Sequence, residues 1–477
     1  MKRCVLLLAL FCSACSLAPT YRRPAVEIPN RFGSGLFRQA QPADDLPRGA
    51  WWEIYSDRQL DALEEALPAN QDLRAALARL SQAQSALGAQ RALLLPSVDL
   101  GASSQKINAS RSRAFYFNRI PFRYSDNQLI ADVSYEPDVF GRLSNAVRAS
   151  RMALMASQAD LAALKLALES ELASDYFTLQ ALRKTERLQN EIIASEAERL
   201  QLIGAMYDAG AASEAELDQA QFALQNAKSL KQEFALQDET QVHAIALLLG
   251  KAATGFDVRT GKEAAKPWAY TVLPSTLLER RPDIASAERA VEAANAEIGV
   301  AKAAFFPNLS LGAAGGFESG QMGNLLATPS ELWSLGIGAA VNLFDGGLRR
   351  SLTDEARARY DETVAHYRQT VLNAYKEVED GMSAVRRLEI EGQSRQSAAD
   401  SASHALDQAR LGYAGGMLPY QDVVASKILY LQAQQQLVQN SGRRMTASVL
   451  LVKALGGGPA MPDATKKVSR NSPPSIW

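Results

Sequence analysis

The feature that most constrains the fold is a long run without helix-breaking residues. Residues 142–203 contain neither glycine nor proline. At about 1.5 Å per residue, a continuous helix over this run would extend roughly 90 Å. No compact globular domain needs a helix of that length, so we expect extended helices that pack side by side.

A seven-residue repeat of apolar side chains predicts how these helices pack. It comprises Leu73, Leu80, Leu87 and Leu94, then Ile284, Val291, Ile298 and Phe305, then Val364, Val371, Val378 and Val385. Alanine follows three residues after several of these positions, as at Ala76 and Ala287. Such a seam brings helix backbones close and favours left-handed coiled coils. The alternative, a short helix in a globular core, normally shows a broader apolar stripe.

The chain contains two copies of one unit. Segment 72–102 aligns with 283–313 without a gap at an offset of 211 residues, which pairs Gly88 with Gly299 and Pro96 with Pro307. A fixed offset of this size indicates a duplicated supersecondary unit rather than a short-period solenoid.

The predicted boundaries follow from this duplication. The first repeat, 56–265, contains a helix, a strand pair at 96–110 and 127–139, a long helix at 142–206 and a return helix at 212–250. The second, 266–458, contains a helix at 276–305, a strand pair at 307–319 and 330–344, a long helix at 347–412 and a return helix at 419–456. An extended segment, 15–55, precedes them and a tail, 459–477, follows.

The predicted strands alternate apolar and polar residues. After Pro96 and Pro307 the period changes to two, and Trp333, Leu335 and Ile337, for example, alternate with small or polar neighbours. This pattern suits a barrel wall with lipid outside and water inside. A half-buried soluble sheet shows the same alternation, so the pattern alone leaves both readings open.

The strand count favours a sheet shared between chains. Four strands cannot close a barrel, for which about eight are the practical minimum, and open edges are not tolerated in lipid. If these strands span a membrane, several chains must pool them, and a trimer would supply twelve. The loops at 110–126, which is rich in arginine and aromatic residues, and 320–329 would then face outside.

The N-terminus predicts export and a lipid anchor. Lys2 and Arg3 precede an apolar stretch too short to span a bilayer, so residues 1–14 are expected to be a signal peptide that is removed. The stretch ends in Cys12-Ser13-Ala14-Cys15, which resembles a bacterial lipobox. We expect cleavage before Cys15 and lipid on its thiol and new amine. The alternative is ordinary cleavage nearby that leaves Cys15 unmodified.

Several classes of function are disfavoured by composition. The net charge is −1 and no basic block stands out, so nucleic acid is not an expected partner. The cysteines are Cys4, Cys12 and Cys15, so at most one survives processing and no cysteine-based metal site is expected. His243, His366 and His404 lie apart in helical runs. No metal-ligand spacing, phosphate loop or nucleophile arrangement appears, and we expect no enzyme activity and no cofactor beyond covalent lipid.

Several motifs together resemble a known family. They are Cys15 to Tyr21, Trp51-Trp52, Tyr135 to Arg142, Leu278 to Ile284, and Phe306-Pro307. In this order and spacing they closely resemble the outer membrane factor family, the TolC-like channels of tripartite efflux pumps, and within it the lipoprotein branch. The resemblance covers nearly the whole mature chain.

The resemblance implies a fold that is mainly α with a small β part. Long coiled-coil helices would form a trimeric α-barrel, and four β-strands per chain would contribute to a twelve-stranded transmembrane β-barrel, with an internal two-fold repeat. An equatorial zone would include residues around 251–272 and residues near the C-terminus. The implied partners are two further copies of the chain (a homotrimer), a periplasmic adaptor protein, an inner-membrane RND-type pump and outer-membrane lipid. Diacylglycerol and palmitate would modify Cys15, and Ser16, where Asp would retain a lipoprotein at the inner membrane, implies the outer membrane.

Two short segments resemble the periplasmic tips of the family. In the family these tips contact the adaptor, and their helix pairs move apart to open the tunnel. Their candidate residues are Tyr207, Gly210 and Ser213 in the first and Tyr413, Gly416 and Pro419 in the second. Glycine is also the ordinary residue that ends a helix in the left-handed conformation, so a purely structural role for these turns stays open.

A carboxylate ring at a narrow pore would favour cations. In many relatives the position of Leu418 is an Asp that contributes to such a ring, and here it is apolar. Asp208, Glu214 and Asp422 are nearby acids that could substitute, although each could equally be a solvated helix charge.

These observations predict an outer-membrane exit duct for passive export of drugs or other small molecules from periplasm to exterior. Two alternatives remain. The same architecture serves as a duct for protein secretion, and a periplasmic coiled-coil scaffold without a pore would share the helical repeats.

Overall fold

The computed structural model describes residues 16–26, 31–32, 35–36, 49–110, 122–261 and 281–457. These residues belong to two compact units. The first takes its described residues from 1–25, 79–158 and 286–369, and the second from 26–78, 159–285 and 370–477. The predictions for Cys15, for most of the first loop and for 262–272 of the equatorial zone lie outside the described residues.

The described chain contains seven α-helices and six strands. The helices are α1 (Arg58–Ala66), α2 (Gln71–Ala92), α3 (Arg142–Asp208), α4 (Glu214–Leu248), α5 (Pro282–Ala303), α6 (Leu348–Ala414) and α7 (Tyr420–Ala454). The strands are β1 (Arg31–Phe32), β2 (Gly35–Leu36), β3 (Ser97–Asn108), β4 (Arg123–Tyr135), β5 (Asn308–Ser319) and β6 (Glu331–Ala340). In the part of the chain that the structure describes, no helix is both long enough and apolar enough to cross a bilayer.

The duplication is visible in the lengths of the elements. Helices α2 and α5 each have 22 residues, β3 and β5 each have 12, α3 and α6 each have 67, and α4 and α7 each have 35. The first two pairs begin 211 residues apart, whereas α3 and α6 begin 206 residues apart. The copies therefore differ by five residues in the region between β3 or β5 and the long helix that follows.

Two predicted strands extend too far toward the helices that follow them. Strand β4 runs from Arg123 to Tyr135 rather than over 127–139, and β6 ends at Ala340 rather than at 344. In the first case Pro137 cannot donate to a ladder, and the Asp138 carboxylate accepts the N–H groups of Leu143 and Ser144 at 3.0 and 2.6 Å. Asp138 thus caps α3, so the chain has left the sheet before it.

Helix α5 also differs from its prediction. Within the described residues it begins at Pro282, where proline is favoured at a first helical position, and it ends at Ala303 rather than at 305.

The first unit contains one antiparallel sheet of four strands in the order β3-β4-β5-β6. Directly paired residues project from the same face of a sheet, so the register assigns each side chain to a face. One row across the sheet joins Val98, Val133, Ala313 and Leu335, and the next joins Asp99, Asp132, Ala314 and Ser334. One face is therefore apolar and the other polar, as the alternation predicted.

The core of the second unit includes a short segment that the sequence did not place. Residues Trp51–Tyr55, predicted as the end of an extended segment, form a 3-10 helix in which the rings of Trp51 and Tyr55 are buried. The Trp51 indole N–H donates to Glu169 at 3.0 Å, and Tyr55 shares a 3.0 Å hydrogen bond with Ser448. Burial of these large rings explains why the segment is helical rather than extended. No local periodicity in the sequence predicts this burial.

Candidate functional site: the helix-hairpin tips and the four-stranded sheet

The first hairpin tip joins α3 to α4. Gly210 adopts φ +73°, a left-handed conformation that favours glycine, and its N–H donates to the Tyr207 carbonyl at 2.9 Å. The N–H of Ala211 donates to the Met206 carbonyl at 2.7 Å. These two bonds satisfy carbonyls at the end of α3 and turn the chain.

Ser213 starts the return helix through a capping box. The Glu216 N–H donates to Ser213 Oγ at 3.3 Å, and the Ser213 N–H donates to the Glu216 carboxylate at 2.7 Å. This donation lowers the pKa of the Glu216 carboxyl. Ser213 therefore has a clear local role in beginning α4 at the tip.

The second tip, between α6 and α7, repeats the geometry. Gly416 adopts φ +69°, its N–H donates to the Tyr413 carbonyl at 2.9 Å, and the Met417 N–H donates to the Gly412 carbonyl at 2.8 Å. Pro419 occupies the N-cap position, where it makes no side-chain hydrogen bond. The predicted tip residues thus occupy equivalent places in two matching turns.

Tyr420, which the sequence analysis did not single out, links the two hairpins within the second unit. Its hydroxyl donates to Glu198 of α3 at 2.7 Å, and its ring lies 5.0 Å from that of Tyr413. The nearby Glu198 carboxylate raises the pKa of Tyr420. The two residues are 222 positions apart in sequence, so no local pattern could have paired them.

The three candidate constriction acids lie at helix ends. Asp208 is the last residue of α3, Glu214 is the first of α4, and Asp422 lies in the first turn of α7. All three are exposed. Acids stabilise helix N-termini and destabilise C-termini, so helix electrostatics account for Glu214 and Asp422 but not for Asp208.

Leu418 is half-exposed beside the second tip. A Cβ atom built on Gly412 would lie 2.7 Å from a methyl group of Leu418, so its side chain rests on this glycine. The contact explains an apolar residue at this position as part of the packing of the turn.

The side chains on the apolar face of the sheet are exposed. Trp333, Leu335 and Ile337 are 82%, 78% and 82% exposed, and Val98 and Leu100 on β3 are also exposed. A contiguous apolar surface of this kind normally marks a contact with protein or membrane.

The opposite face of the sheet is polar. The Ser97 and Ser134 hydroxyls share a 2.8 Å hydrogen bond there. Its charged strand residues in the described chain are Asp99, Asp126, Asp132 and Glu318, all acidic. The sheet therefore has one apolar face and one polar, negatively charged face.

Metal ligation has no candidate in the described ranges. Among those residues, no group of three or more histidine, cysteine, aspartate or glutamate side chains is arranged to hold a metal ion.

Comparisons with known proteins agree with this architecture. The family model described as outer membrane efflux protein matches residues 62–251 and 273–457. Outer membrane protein OprJ of Pseudomonas aeruginosa is 32% identical over 467 residues, covering 95% of both chains. Cation efflux system protein CusC of Escherichia coli K12 is 28% identical over 96% of this chain and 100% of the relative.

A solved structure shows the same fold. The Campylobacter jejuni CmeC outer membrane channel superposes with a TM-score of 0.84 at 25% identity, covering 93% of this chain and 95% of the other. The resemblance to the outer membrane factor family, inferred from the motifs, is thereby confirmed. The chain belongs to the outer membrane efflux protein family.

Proposed function

We propose that this chain is one protomer of the outer-membrane exit duct of a tripartite efflux pump, through which drugs or other small molecules pass passively from the periplasm to the exterior. The observation that carries the proposal is the four-stranded sheet, with one exposed apolar face, one acidic polar face and two outer edges that pair with no further strand in the described chain.

The apolar face supports insertion in lipid. Covering a large apolar side chain is worth about 1.5–3 kcal/mol relative to leaving it in water, so Trp333, Leu335 and Ile337 together strongly favour a lipid environment. The polar face would then line an aqueous passage, as in other transmembrane barrels.

The free edges support a homotrimer. Backbone N–H and C=O groups cannot stay unpaired in hydrocarbon, so β6 of one copy must pair with β3 of the next. Three copies would supply twelve strands, which exceeds the practical minimum of about eight for a closed barrel.

The hairpin tips are the proposed contacts with a periplasmic adaptor, which would connect the duct to an inner-membrane RND-type pump. Tyr207, Gly210, Ser213, Tyr413, Gly416 and Pro419 shape these tips. Asp208 is the proposed constriction acid, because its position at the end of α3 costs helix stability and is not explained by capping.

A lipid anchor on Cys15 completes the proposal. The segment that follows Cys15 is held against the first unit: Ser16 Oγ donates to Asn145 at 2.9 Å, Asn295 donates to the Pro19 carbonyl at 2.8 Å, and Arg23 pairs with Glu288 at 3.0 Å. A lipid-modified Cys15 would therefore be attached to an ordered part of the protein, and diacylglycerol and palmitate are the expected groups.

Two measurements on the full-length protein test the duct. We expect native mass spectrometry in detergent to give the mass of three chains, and reconstitution into a planar bilayer to give discrete conductance steps. A secretion duct would also conduct, and co-purification with an ABC exporter rather than an RND pump would identify it. A monomer without conductance would reject the duct in favour of a scaffold.

A further inference from the structure

The second unit contains a large apolar cavity that belongs to neither the hairpin tips nor the sheet. Its volume is about 800 Å³, and α3, α4, α6 and α7 all contribute to its wall. Its apolar lining includes Ala181, Leu182, Ala384, Leu388, Ala447 and Leu450. Cavities of roughly 300–1,000 Å³ with mostly apolar walls are the usual size for small-molecule sites.

The cavity lies on the side of the helices that faces away from the core. On α3, core residues such as Tyr176 and Gln180 alternate with the cavity residues Thr178 and Leu182, about half a helical turn away. The floor is closed by direct contact between helices, since a Cβ atom on Gly442 would lie 2.6 Å from the Ala181 methyl group.

Four charged side chains line the cavity, and three of them are already paired. Glu377 accepts from Arg281 at 2.7 Å, and Asp380 accepts from Lys376 at 2.8 Å. Arg443 lies 3.3 Å from the Glu391 carboxylate.

The fourth charge is Lys453, in the last turn of α7, which makes no ion pair with the described residues. The lining thus presents an apolar surface beside one uncompensated ammonium group.

We propose that this cavity binds a small amphiphile with an apolar body and a single carboxylate or sulfonate group, which pairs with the Lys453 ammonium. The inference rests on the proposed function only in that such molecules would meet the site while passing through the duct. A charge-assisted hydrogen bond to Lys453 would add to apolar burial and orient the ligand.

Matched fluorescent probes test the charge preference. The full-length protein in lipid nanodiscs is titrated with a dansyl-labelled undecanoic acid and with the corresponding dansyl-labelled alkylamine. We expect saturable binding of the acid, with about tenfold weaker binding of the amine, because only the acid can make a charge-assisted hydrogen bond to Lys453. Equal or tighter binding of the amine would overturn the proposal.

Variants locate the site. Lys453→Gln should weaken binding of the acid about tenfold, and Lys453→Arg should retain it because the positive charge remains. Lys427→Gln, which changes another lysine of α7 outside the cavity, is the matched control and should bind like the wild type. Unchanged binding by Lys453→Gln would overturn the assignment.

Ala384→Phe tests the cavity independently of charge, because the added ring occupies the space and should abolish binding of the acid. Trimer mass and planar-bilayer conductance are measured on the same samples. A wild-type protein that conducts but binds no probe refutes this site and leaves the duct intact, whereas probe binding without conductance supports the site and rejects the duct.

Discussion

Glu64 carries an unusual buried carboxyl group. It is 3% exposed, and neither of its side-chain oxygens has a hydrogen-bond partner in the described chain. Burial raises its pKa to about 10, and the neighbouring Glu169 and Asp61 carboxylates add to the effect. The group is therefore protonated at neutral pH, since a buried unpaired carboxylate is far more costly than a buried carboxylic acid.

This raised pKa predicts a pH-dependent stability. The folded protein keeps the Glu64 proton up to a pH of about 10, whereas the unfolded chain loses it near its ordinary pKa of 4.5. Between these values the folded state binds more protons, so the free energy of unfolding falls as pH rises, by at most about 1.4 kcal/mol per pH unit. Glu64→Gln removes this term and should stabilise the protein more at pH 8 than at pH 5.

The effect is measured by thermal midpoints at the two pH values for wild type and Glu64→Gln. The control is Glu65→Gln, which changes an exposed neighbour. The idea fails if Glu64→Gln and wild type lose stability equally between pH 5 and pH 8.

Cys15 is the predicted site of lipid attachment. Cys15→Ala should abolish metabolic labelling with palmitate while leaving trimers largely intact, because the sheet supplies a second and larger membrane contact. Cys4→Ala, which changes a signal-peptide cysteine, is the control and should be labelled normally. Loss of all membrane association in Cys15→Ala would show that the strands do not insert.

Among the helices, the hydrogen bond between α7 and α3 joins the two hairpins near the proposed tips. Tyr420→Phe removes the hydroxyl that reaches Glu198 but keeps the ring that packs on Tyr413. An exposed hydrogen bond of this kind is worth at most about 1 kcal/mol, so the arrangement in which the two hairpins are joined should be roughly fivefold less favoured. We expect more frequent channel openings in planar bilayers.

Tyr413→Phe is the matched control for that prediction, because no hydroxyl bond of Tyr413 contributes to the link between hairpins in the described structure. If both variants open equally often, the hydroxyl of Tyr420 does not hold the hairpins together.

Strand β5 contains a glycine at a position where the sheet leaves no space for a side chain. A Cβ atom on Gly316 would lie 2.1 Å from the Leu129 carbonyl oxygen, whereas one on Gly312 would meet nothing within 4 Å. Gly316→Ala should therefore separate β4 from β5 and sharply reduce the yield of trimer, while Gly312→Ala should assemble normally. Trimer yield by size-exclusion chromatography compares the two, and equal yields would argue against the close approach.

Local pattern predicted most elements because each has a clear period. The heptads end at Pro96 and Pro307, the alternation begins there, and α2, β3 and β5 follow these signals closely. Partners distant in sequence were not predictable. Periodicity indicates which face of a helix is buried but not what covers it, so the burial of Trp51 and Glu64 and the pairing of Tyr420 with Glu198 appear only in three dimensions.

At the scale of the whole molecule, the duplication leaves an open sheet. Each repeat supplies two strands, and β4 pairs with β5 to join them, so β3 and β6 become the outer edges. These edges belong to different repeats, so a joint between copies is head-to-tail rather than symmetric. A head-to-tail joint makes a closed ring only when the rotation between copies closes.

Cross-linking across that joint tests ring closure. Leu100→Cys on β3 and Leu335→Cys on β6 place thiols on the apolar face of the two edge strands, and Cys15 is expected to be acylated and unreactive. A short bifunctional maleimide applied to membranes should join copies into dimers and trimers and then stop, because a closed ring has no further edge. Either single variant should give only monomers. A ladder beyond three chains would reveal an open assembly, and monomers alone in the double variant would contradict pairing of β3 with β6.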